Sequence, residues 1–150
     1  MDFEQFNEEY NRLYKEEDNL YHRLAKHFGL SDSAFWILYT LESASQPLTQ
    51  TELRGYLSLS KQTINSALKQ LEQEGHLRLS SGSRRNKYIH LTETGQALAG
   101  RTVRPVLKLE ERAFLGMAEE ERASILALER KHLSLLRQES EQIFQQSQEE

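Results

Sequence analysis

The chain has 150 residues, of which 28% are charged and 37% hydrophobic, a composition typical of a folded domain rather than a disordered segment. Cysteine is absent, which excludes disulfides, thiolate metal ligands and a thiol-based redox switch. No run approaches the ~20 apolar residues of a membrane span, and the acidic start MDFEQFNEEY does not have the apolar segment of a signal peptide. We therefore expect one cytoplasmic domain with no membrane partner.

The net charge of −4 is distributed unevenly along the chain. Residues 1–51 carry 4 basic and 9 acidic side chains, residues 52–104 carry 9 and 4, and residues 105–150 carry 6 and 10. A basic segment between acidic flanks is typical of a protein that meets a polyanion with one face. On charge alone a solvated surface is the better explanation, so the basic segment needs a structural context.

Apolar residues at spacings of three and four predict a first helix from Asp2 to Phe28, with a polar interruption at 15–19 and a stop at Gly29. Three helix starts follow, each with a capping hydroxyl between two apolar residues that can pair across it. The caps are Ser31, Thr49 and Ser60. They predict helices over 32–44, 50–57 and 61–74, and the short connection between the last two indicates a helix-turn-helix.

The 61–74 helix has a polar face of a particular kind. Opposite Ile64, Ala67, Leu68 and Leu71 it carries Gln, Thr, Asn, Ser and Lys rather than the Glu and Lys pairs of an ordinary solvated helix. Such side chains suit base edges in a major groove, with phosphates at the sides. The candidate DNA contacts here are Ser60, Lys61, Gln62, Thr63, Asn65, Ser66 and Lys69. One sequence does not resolve which of them reads a base.

A second candidate contact precedes that helix, at the start of the 50–57 helix. Arg54, together with Thr49 and Thr51, is placed to meet phosphates at a helix N-terminus. Thr49 is more simply explained as a cap, because Glu52 completes a capping box with it.

Two alternating segments, HLRLS at 76–80 and KYIHL at 87–91, predict a pair of short antiparallel strands. The loop between them, SGSRRN at 81–86, carries Gly82 for the turn. Arg84, Arg85 and Lys87 place three cations within four residues, directly behind the candidate recognition helix. We expect this hairpin to be a wing, with both arginines in a minor groove or on phosphates and Lys87 on phosphate.

From Thr92 the pattern predicts a long helix that Pro105 kinks near Arg101 and Gly116 ends. A last helix follows, with three glutamates in its first turn. Its apolar residues exceed what a solvated helix needs, which indicates a partner surface. The fold class is mainly α with a small β-hairpin wing: a winged helix-turn-helix lobe plus a helical lobe.

The stretches LTQTEL, LSLSKQTINSALKQLEQEGHLRL and SRRNKYIHLTETG together resemble the multiple antibiotic resistance regulator (MarR) family of bacterial winged-helix transcription factors. Arg84 and Arg85 match the basic pair of the family's wing, and Leu91, Thr92 and Gly95 match the residues after it, whereas Ser83 stands where the family usually has Asp. The resemblance implies a single MarR-type domain over 1–150, with a DNA-binding lobe over about 31–95 and a dimerisation lobe formed by 1–30 and 96–150.

The same resemblance implies a regulator that binds a pseudo-palindromic operator in double-stranded DNA as a homodimer. We expect it to act as a repressor. The 61–74 helix would enter the major groove and the wing, 81–87, the minor groove. Many relatives bind a small aromatic effector, and candidates for lining such a cleft are Tyr21, Phe28, Phe35, Trp36 and Tyr39. The same aromatic residues also fit a protein core and a dimer interface.

Other functions have less support in the sequence. The five histidines have no metal-ligand spacing, and no catalytic motif is present, so we expect no metal, no cofactor and no enzyme activity. An alternative is a winged-helix protein–protein module that docks an acidic partner, which would need an exposed apolar anchor on the 61–74 helix. A third reading is a regulator whose DNA affinity is switched by a metal or ligand.

Overall fold

The computed structural model describes residues 1–80 and 86–146, and the folded elements follow the predicted order. Helices predominate in these residues, and the strands form one two-stranded sheet. The elements are α1 (Phe3–His27), α2 (Asp32–Ser43), α3 (Gln50–Tyr56), α4 (Lys61–Gln73), β1 (Leu77–Leu79), β2 (Ile89–Leu91), α5 (Glu93–Arg101), α6 (Val103–Leu115) and α7 (Glu119–Gln146). The predicted fold class, mainly α with a small hairpin, is confirmed.

The predicted caps begin the predicted helices. The hydroxyls of Ser31, Ser60 and Thr92 accept hydrogen bonds from the N–H groups of Ala34, Thr63 and Gly95, respectively. Each bond satisfies one of the free donors of a first helical turn, which is why hydroxyl residues fix helix starts so locally.

The start of α3 has the full capping box. The N–H of Glu52 donates to the hydroxyl of Thr49 at 3.2 Å, and the N–H of Thr49 donates back to the Glu52 carboxylate at 2.7 Å. The Thr49 hydroxyl also donates to that carboxylate, at 2.7 Å. These bonds favour the ionised Glu52 carboxylate and hold the pKa of Glu52 below its ordinary value. The backbone N–H of Thr49 contributes most to this shift, and the Thr49 hydroxyl contributes next.

Glycine ends α1 and α4 in the same way. Gly29 and Gly75 adopt φ values of 71° and 77°, in the left-handed region that glycine enters without a steric penalty. After α4, the N–H of His76 donates to the carbonyl of Leu71, and the N–H of Gly75 donates to that of Glu72. This arrangement satisfies the last carbonyls of the helix and turns the chain into β1.

Two structural details differ from the prediction. α1 runs without interruption through 15–19. On its surface, Arg12 pairs with Glu9 at 2.5 Å and with Glu16, inside that stretch, at 2.9 Å. The predicted kink near Arg101 is a complete break: α5 ends there, and Pro105 lies in the first turn of a new helix, α6. A proline is tolerated in a first turn because its missing N–H would have no helical partner there.

The chain packs as two compact units, residues 1–107 and 108–150. In the first unit, buried side chains of α2, α3, α4 and the sheet form one cluster, which includes Ile37, Leu53 and Ile64. A second cluster joins α1, α2, α5 and the start of α6, and includes Phe35 and Leu38. Both clusters therefore depend on α2, which contributes Ile37 to one and Phe35 and Leu38 to the other.

The second unit contains the end of α6 and all of α7. The turn between these helices is held by Arg122, whose guanidinium lies 4.3 Å from the centre of the Phe114 ring and donates to the carbonyl of Met117 at 3.1 Å. The N–H of Ala118 donates to Glu121 at 2.8 Å, so a glutamate side chain serves this helix start where the cap residue has no hydroxyl.

The return of the chain from β2 into α5 is tightly packed against the end of α4. The hydroxyls of Thr92 and Thr94 donate to the carbonyl of Gly75 at 2.5 and 2.8 Å, and the N–H of Thr92 donates to the carbonyl of His76. Gly95 is buried at this point, and a Cβ atom on it would overlap the carbonyl oxygen of His76.

Gly95→Ala is therefore expected to lower the free energy of unfolding by about 3 kcal/mol, because backbone atoms must move to admit the methyl group. Gly55→Ala is the matched control: Gly55 lies in α3 with nothing within 4 Å of the added atom. That change should stabilise the protein by about 0.5–1 kcal/mol. Urea unfolding followed by circular dichroism checks both values, and equal effects of the two substitutions would contradict the close-packing argument.

Candidate nucleic-acid interface

α3 and α4 form the helix-turn-helix that the sequence predicts. α3 ends at Tyr56, α4 begins at Lys61, and Leu57 and Leu59 of the connection pack against the same core cluster as both helices. All the apolar residues of α4 are buried, namely Ile64, Ala67, Leu68 and Leu71. The face of α4 that meets solvent therefore has no apolar anchor, which counts against a surface for docking a protein.

The candidate DNA-contacting residues of α4 remain exposed, but they differ in how they are already bonded. Ser60 caps the helix and shares a hydrogen bond with the Thr63 hydroxyl at 2.7 Å. Within the described residues, the side chains of Gln62, Asn65 and Ser66 have no hydrogen-bond partner. These three amide and hydroxyl groups are therefore available to a ligand without the loss of an internal bond.

A concavity lies between α3, α4 and β1, with a volume of about 470 Å³. We call it the α3–α4 concavity, and its lining residues are Gln50, Arg54, Lys61, Asn65, Leu68, Lys69, Glu72 and Leu79. It brings together Arg54, Lys61 and Lys69, three cations predicted separately from two helices. Gln50 and Glu72 were not predicted, although Glu72 continues the spacing of Lys61, Asn65 and Lys69 along one side of α4.

The N-terminus of α3 is already occupied by the chain itself. The N–H of Gln50 donates to the carbonyl of Lys87 at 3.1 Å, and the N–H of Thr51 donates to the Asn86 side chain at 3.4 Å. Together with the capping box of Glu52, these bonds leave no free donor among the first N–H groups for a phosphate. Arg54 instead donates to the Thr51 hydroxyl at 3.0 Å, which holds the guanidinium beside the start of the helix.

The second strand of the predicted wing is attached to the start of α3. β1 pairs with β2 in an antiparallel register that places Leu77 opposite Leu91. The N–H of Ile89 donates to the carbonyl of Leu48 at 2.8 Å, so the hairpin is fastened to the chain that enters α3. Lys87 is exposed at this edge, while Arg84 and Arg85 lie outside the described residues.

The five aromatic residues predicted for a ligand cleft divide into core and surface groups. Phe35 is completely buried, and the other four are partly buried against the same cluster. The ring of Trp36 lies 5.0 Å from that of Tyr21 and 5.3 Å from that of Tyr39. An apolar pattern alone does not distinguish a buried ring such as Phe35 from one that lines a cleft.

Two surface pockets share Trp36 and Tyr39. One, of about 280 Å³, lies between α1 and α2, and its lining residues are Tyr14, Glu17, Asp18, Tyr21, Trp36 and Tyr39. The other, of about 420 Å³, lies between α2 and the end of α3 and includes Tyr56, whose side chain is 70% exposed. Sequence reasoning did not identify Tyr14 and Tyr56 as residues that line these pockets.

Residues 1–80 and 86–146 contain neither a group of metal ligands nor a membrane-spanning helix. In this part of the chain, no three His, Cys, Asp or Glu residues come together in a way that could hold a metal ion. Among its helices, none combines the length and the apolar composition needed to cross a membrane.

Comparisons with known proteins agree with this geometry. A sequence model of the MarR family matches residues 28–85, which contain α2, α3, α4 and β1. An uncharacterised helix-turn-helix transcriptional regulator of Bacillus cereus is 30% identical over 115 residues, which is 77% of this chain and 77% of the relative.

Two solved structures share the fold. A MarR family regulator from Neisseria meningitidis superposes with a TM-score of 0.73 at 24% identity, covering 93% of this chain and 96% of its own. S. aureus MepR, solved as a complex with DNA, gives a TM-score of 0.67 at 20% identity, with 91% and 98% covered. With the family match and the bacterial relative, these likenesses show that the chain belongs to the MarR family of helix-turn-helix transcriptional regulators.

Proposed function

We propose that the protein binds a pseudo-palindromic operator in double-stranded DNA as a homodimer and represses transcription there. The observation that carries this proposal is the solvent face of α4, where apolar residues are absent and where Gln62, Asn65 and Ser66 have no hydrogen-bond partner among the described residues. α4 would lie in the major groove, since its amide and hydroxyl groups can pair with the donors and acceptors of base edges. A regulator of this kind acts on chromosomal DNA, in the cytoplasm.

The wing, 81–87, is proposed to reach the adjacent minor groove. Arg84 and Arg85 would insert into the groove or hold its phosphates, and Lys87 would contact the backbone. Support comes from the attachment of the hairpin: Lys87 and Ile89 are bonded to the residues that begin α3, so the wing starts beside the helix-turn-helix.

The homodimer is supported by the apolar surface of α7. None of its described side chains is buried, and large apolar residues are about half exposed, among them Leu128 (65%), Leu136 (53%) and Phe144 (59%). α1 likewise exposes Phe3 (76%), Leu13 (53%) and Tyr14 (68%). Apolar surface of this extent marks an interface in a folded protein. A dimerisation lobe formed by 1–30 and 96–150 would use both helices.

A small aromatic ligand is the proposed effector. Its site would be the surface near Trp36 and Tyr39, which line pockets of about 280 and 420 Å³. Aromatic walls with a few polar groups are typical of small-molecule sites. The ligand would release the operator by moving α2, which contributes buried side chains to both core clusters.

Selection of bound duplexes from a random DNA pool tests the operator proposal. Enrichment of a twofold-symmetric motif is expected, with half-sites about 10 base pairs apart, because two α4 helices related by dimer symmetry enter successive major grooves. An asymmetric motif, or none, would contradict it.

The variant Arg84→Ala with Arg85→Ala should bind the same motif. Its slope of log affinity against log salt should be smaller in magnitude by about 1 for each phosphate that the arginines no longer neutralise.

Leu136→Glu is expected to convert the dimer into monomers, because it places a charge on the exposed apolar side of α7. Ser134→Glu is the matched control, since residue 134 lies on the opposite side of the same helix and is already polar. Sedimentation velocity of both variants distinguishes the two positions. A Leu136→Glu protein that sediments as the wild type does would place the interface elsewhere.

Binding of an aromatic ligand should quench the fluorescence of Trp36, the single tryptophan of the chain. Benzoate is a suitable first probe, because it is small, planar and polar at one end. Saturable quenching that weakens in Tyr39→Ala, together with release of operator DNA at the same benzoate concentrations, is the expected result. Quenching without any change in DNA binding would show that the pocket does not hold an effector of this class.

A further inference from the structure

Two groups of exposed polar side chains of α4 differ in whether they line the α3–α4 concavity. Lys61, Asn65, Lys69 and Glu72 follow at spacings of four and three, and they line the α3–α4 concavity. At 100° per residue, Gln62, Ser66 and Gln73 lie opposite the buried stripe of the helix. We call these three residues the outer stripe. They do not line the concavity, and all three are exposed.

The two groups also differ in charge. The concavity contains Arg54, Lys61 and Lys69 against a single carboxylate, that of Glu72. Within the described residues, neither lysine has an ion-pair partner, and Arg54 bonds only to the neutral hydroxyl of Thr51. Unpaired cations that converge on one concave surface attract a polyanion more strongly than the same charges spread over a convex face. The outer stripe carries no charge, and its groups both donate and accept hydrogen bonds.

We infer that the α3–α4 concavity holds phosphates of one DNA strand, so that Arg54, Lys61 and Lys69 supply affinity while the outer stripe, led by Gln62 and Ser66, reads base edges. This division rests on the proposed DNA binding and makes it specific to particular residues. Its chemical basis is that a lysine ammonium is a point charge suited to phosphate, whereas amides and hydroxyls match the donor and acceptor pattern of bases.

Glu72 has a distinct role in this arrangement. It is the carboxylate of the concavity, lies one turn beyond Lys69 on the same side of α4, and is exposed. A carboxylate there repels the DNA backbone and lowers affinity for every sequence alike. Glu72 therefore limits non-specific binding, and sequence preference is left to the outer stripe.

The neighbouring residues Lys61 and Gln62 provide a matched test, because they lie next to each other in the chain but belong to different groups. Affinities of Lys61→Ala, Lys69→Ala, Gln62→Ala and Ser66→Ala would be measured on the selected operator and on an unrelated duplex of equal length, at salt concentrations from about 50 to about 200 mM. All four positions are exposed, so thermal unfolding midpoints equal to that of the wild type confirm that folding is unchanged.

Each lysine variant should reduce the magnitude of the slope of log affinity against log salt on both duplexes. The reduction should be about 0.9 for each phosphate that is no longer neutralised, or about 1.8 for a homodimer. A fourfold rise in salt then weakens the variant about tenfold less than the wild type. The ratio of operator to unrelated affinity should stay the same. Gln62→Ala and Ser66→Ala should keep the wild-type slope and lower that ratio, by about tenfold for each base that is no longer read. Glu72→Gln should bind both duplexes more tightly.

Lysine variants that keep the wild-type slope, or outer-stripe variants that change the slope and not the ratio, would overturn the division of roles. Weaker or unchanged binding by Glu72→Gln would overturn the repulsive role of that carboxylate. These results differ from a failure of the proposed function, in which the wild-type protein itself binds neither duplex.

Discussion

The carbonyl of Gly75 is the point on which the arrangement of the helix-turn-helix and the hairpin depends. Gly75 follows the end of α4 in the left-handed conformation. Its carbonyl accepts hydrogen bonds from the hydroxyls of Thr92 and Thr94, at the start of α5. Gly95 lets the two backbones approach, because any side chain there would meet His76. The last turn of α4 and the first turn of α5 therefore fix each other, and the hairpin between them must leave and return at set positions.

The second attachment of the hairpin explains how α3 is oriented. Its backbone bonds run from Gln50 to Lys87 and from Ile89 to Leu48, so β2 is bonded both to β1 and to the chain that enters α3. Hydrogen bonds thus connect the end of α4, the hairpin and the start of α3. Arg54 of α3 and the lysines of α4 line the same concavity, where like charges repel one another.

Much of this architecture could be predicted because its signals are local. A capping hydroxyl, a glycine after a helix and an alternating strand act over four or five residues, and Thr49, Ser60 and Thr92 each begin a helix as expected. Signals that depend on distant residues were less informative. The polar stretch at 15–19 gave no sign that α1 continues through it, and Phe35 gave no sign that it is buried on every side. The concavity required α3 and β1 to be placed beside α4, and no spacing in the sequence encodes that placement.

α2 offers a physical route from the aromatic surface to α3 and α4 of the helix-turn-helix. Phe35 and Leu38 pack with α1, α5 and the start of α6, while Ile37 packs with α3 and α4. The far end of α2 is held as well, since Arg104 donates to Glu42 at 3.3 Å through one nitrogen and more closely through another, and it also bonds to Gln96. A close-packed helix anchored at both clusters moves as a body rather than bending. A ligand that wedges against Trp36 and Tyr39 would therefore shift Ile37 and, through it, the core face of α4.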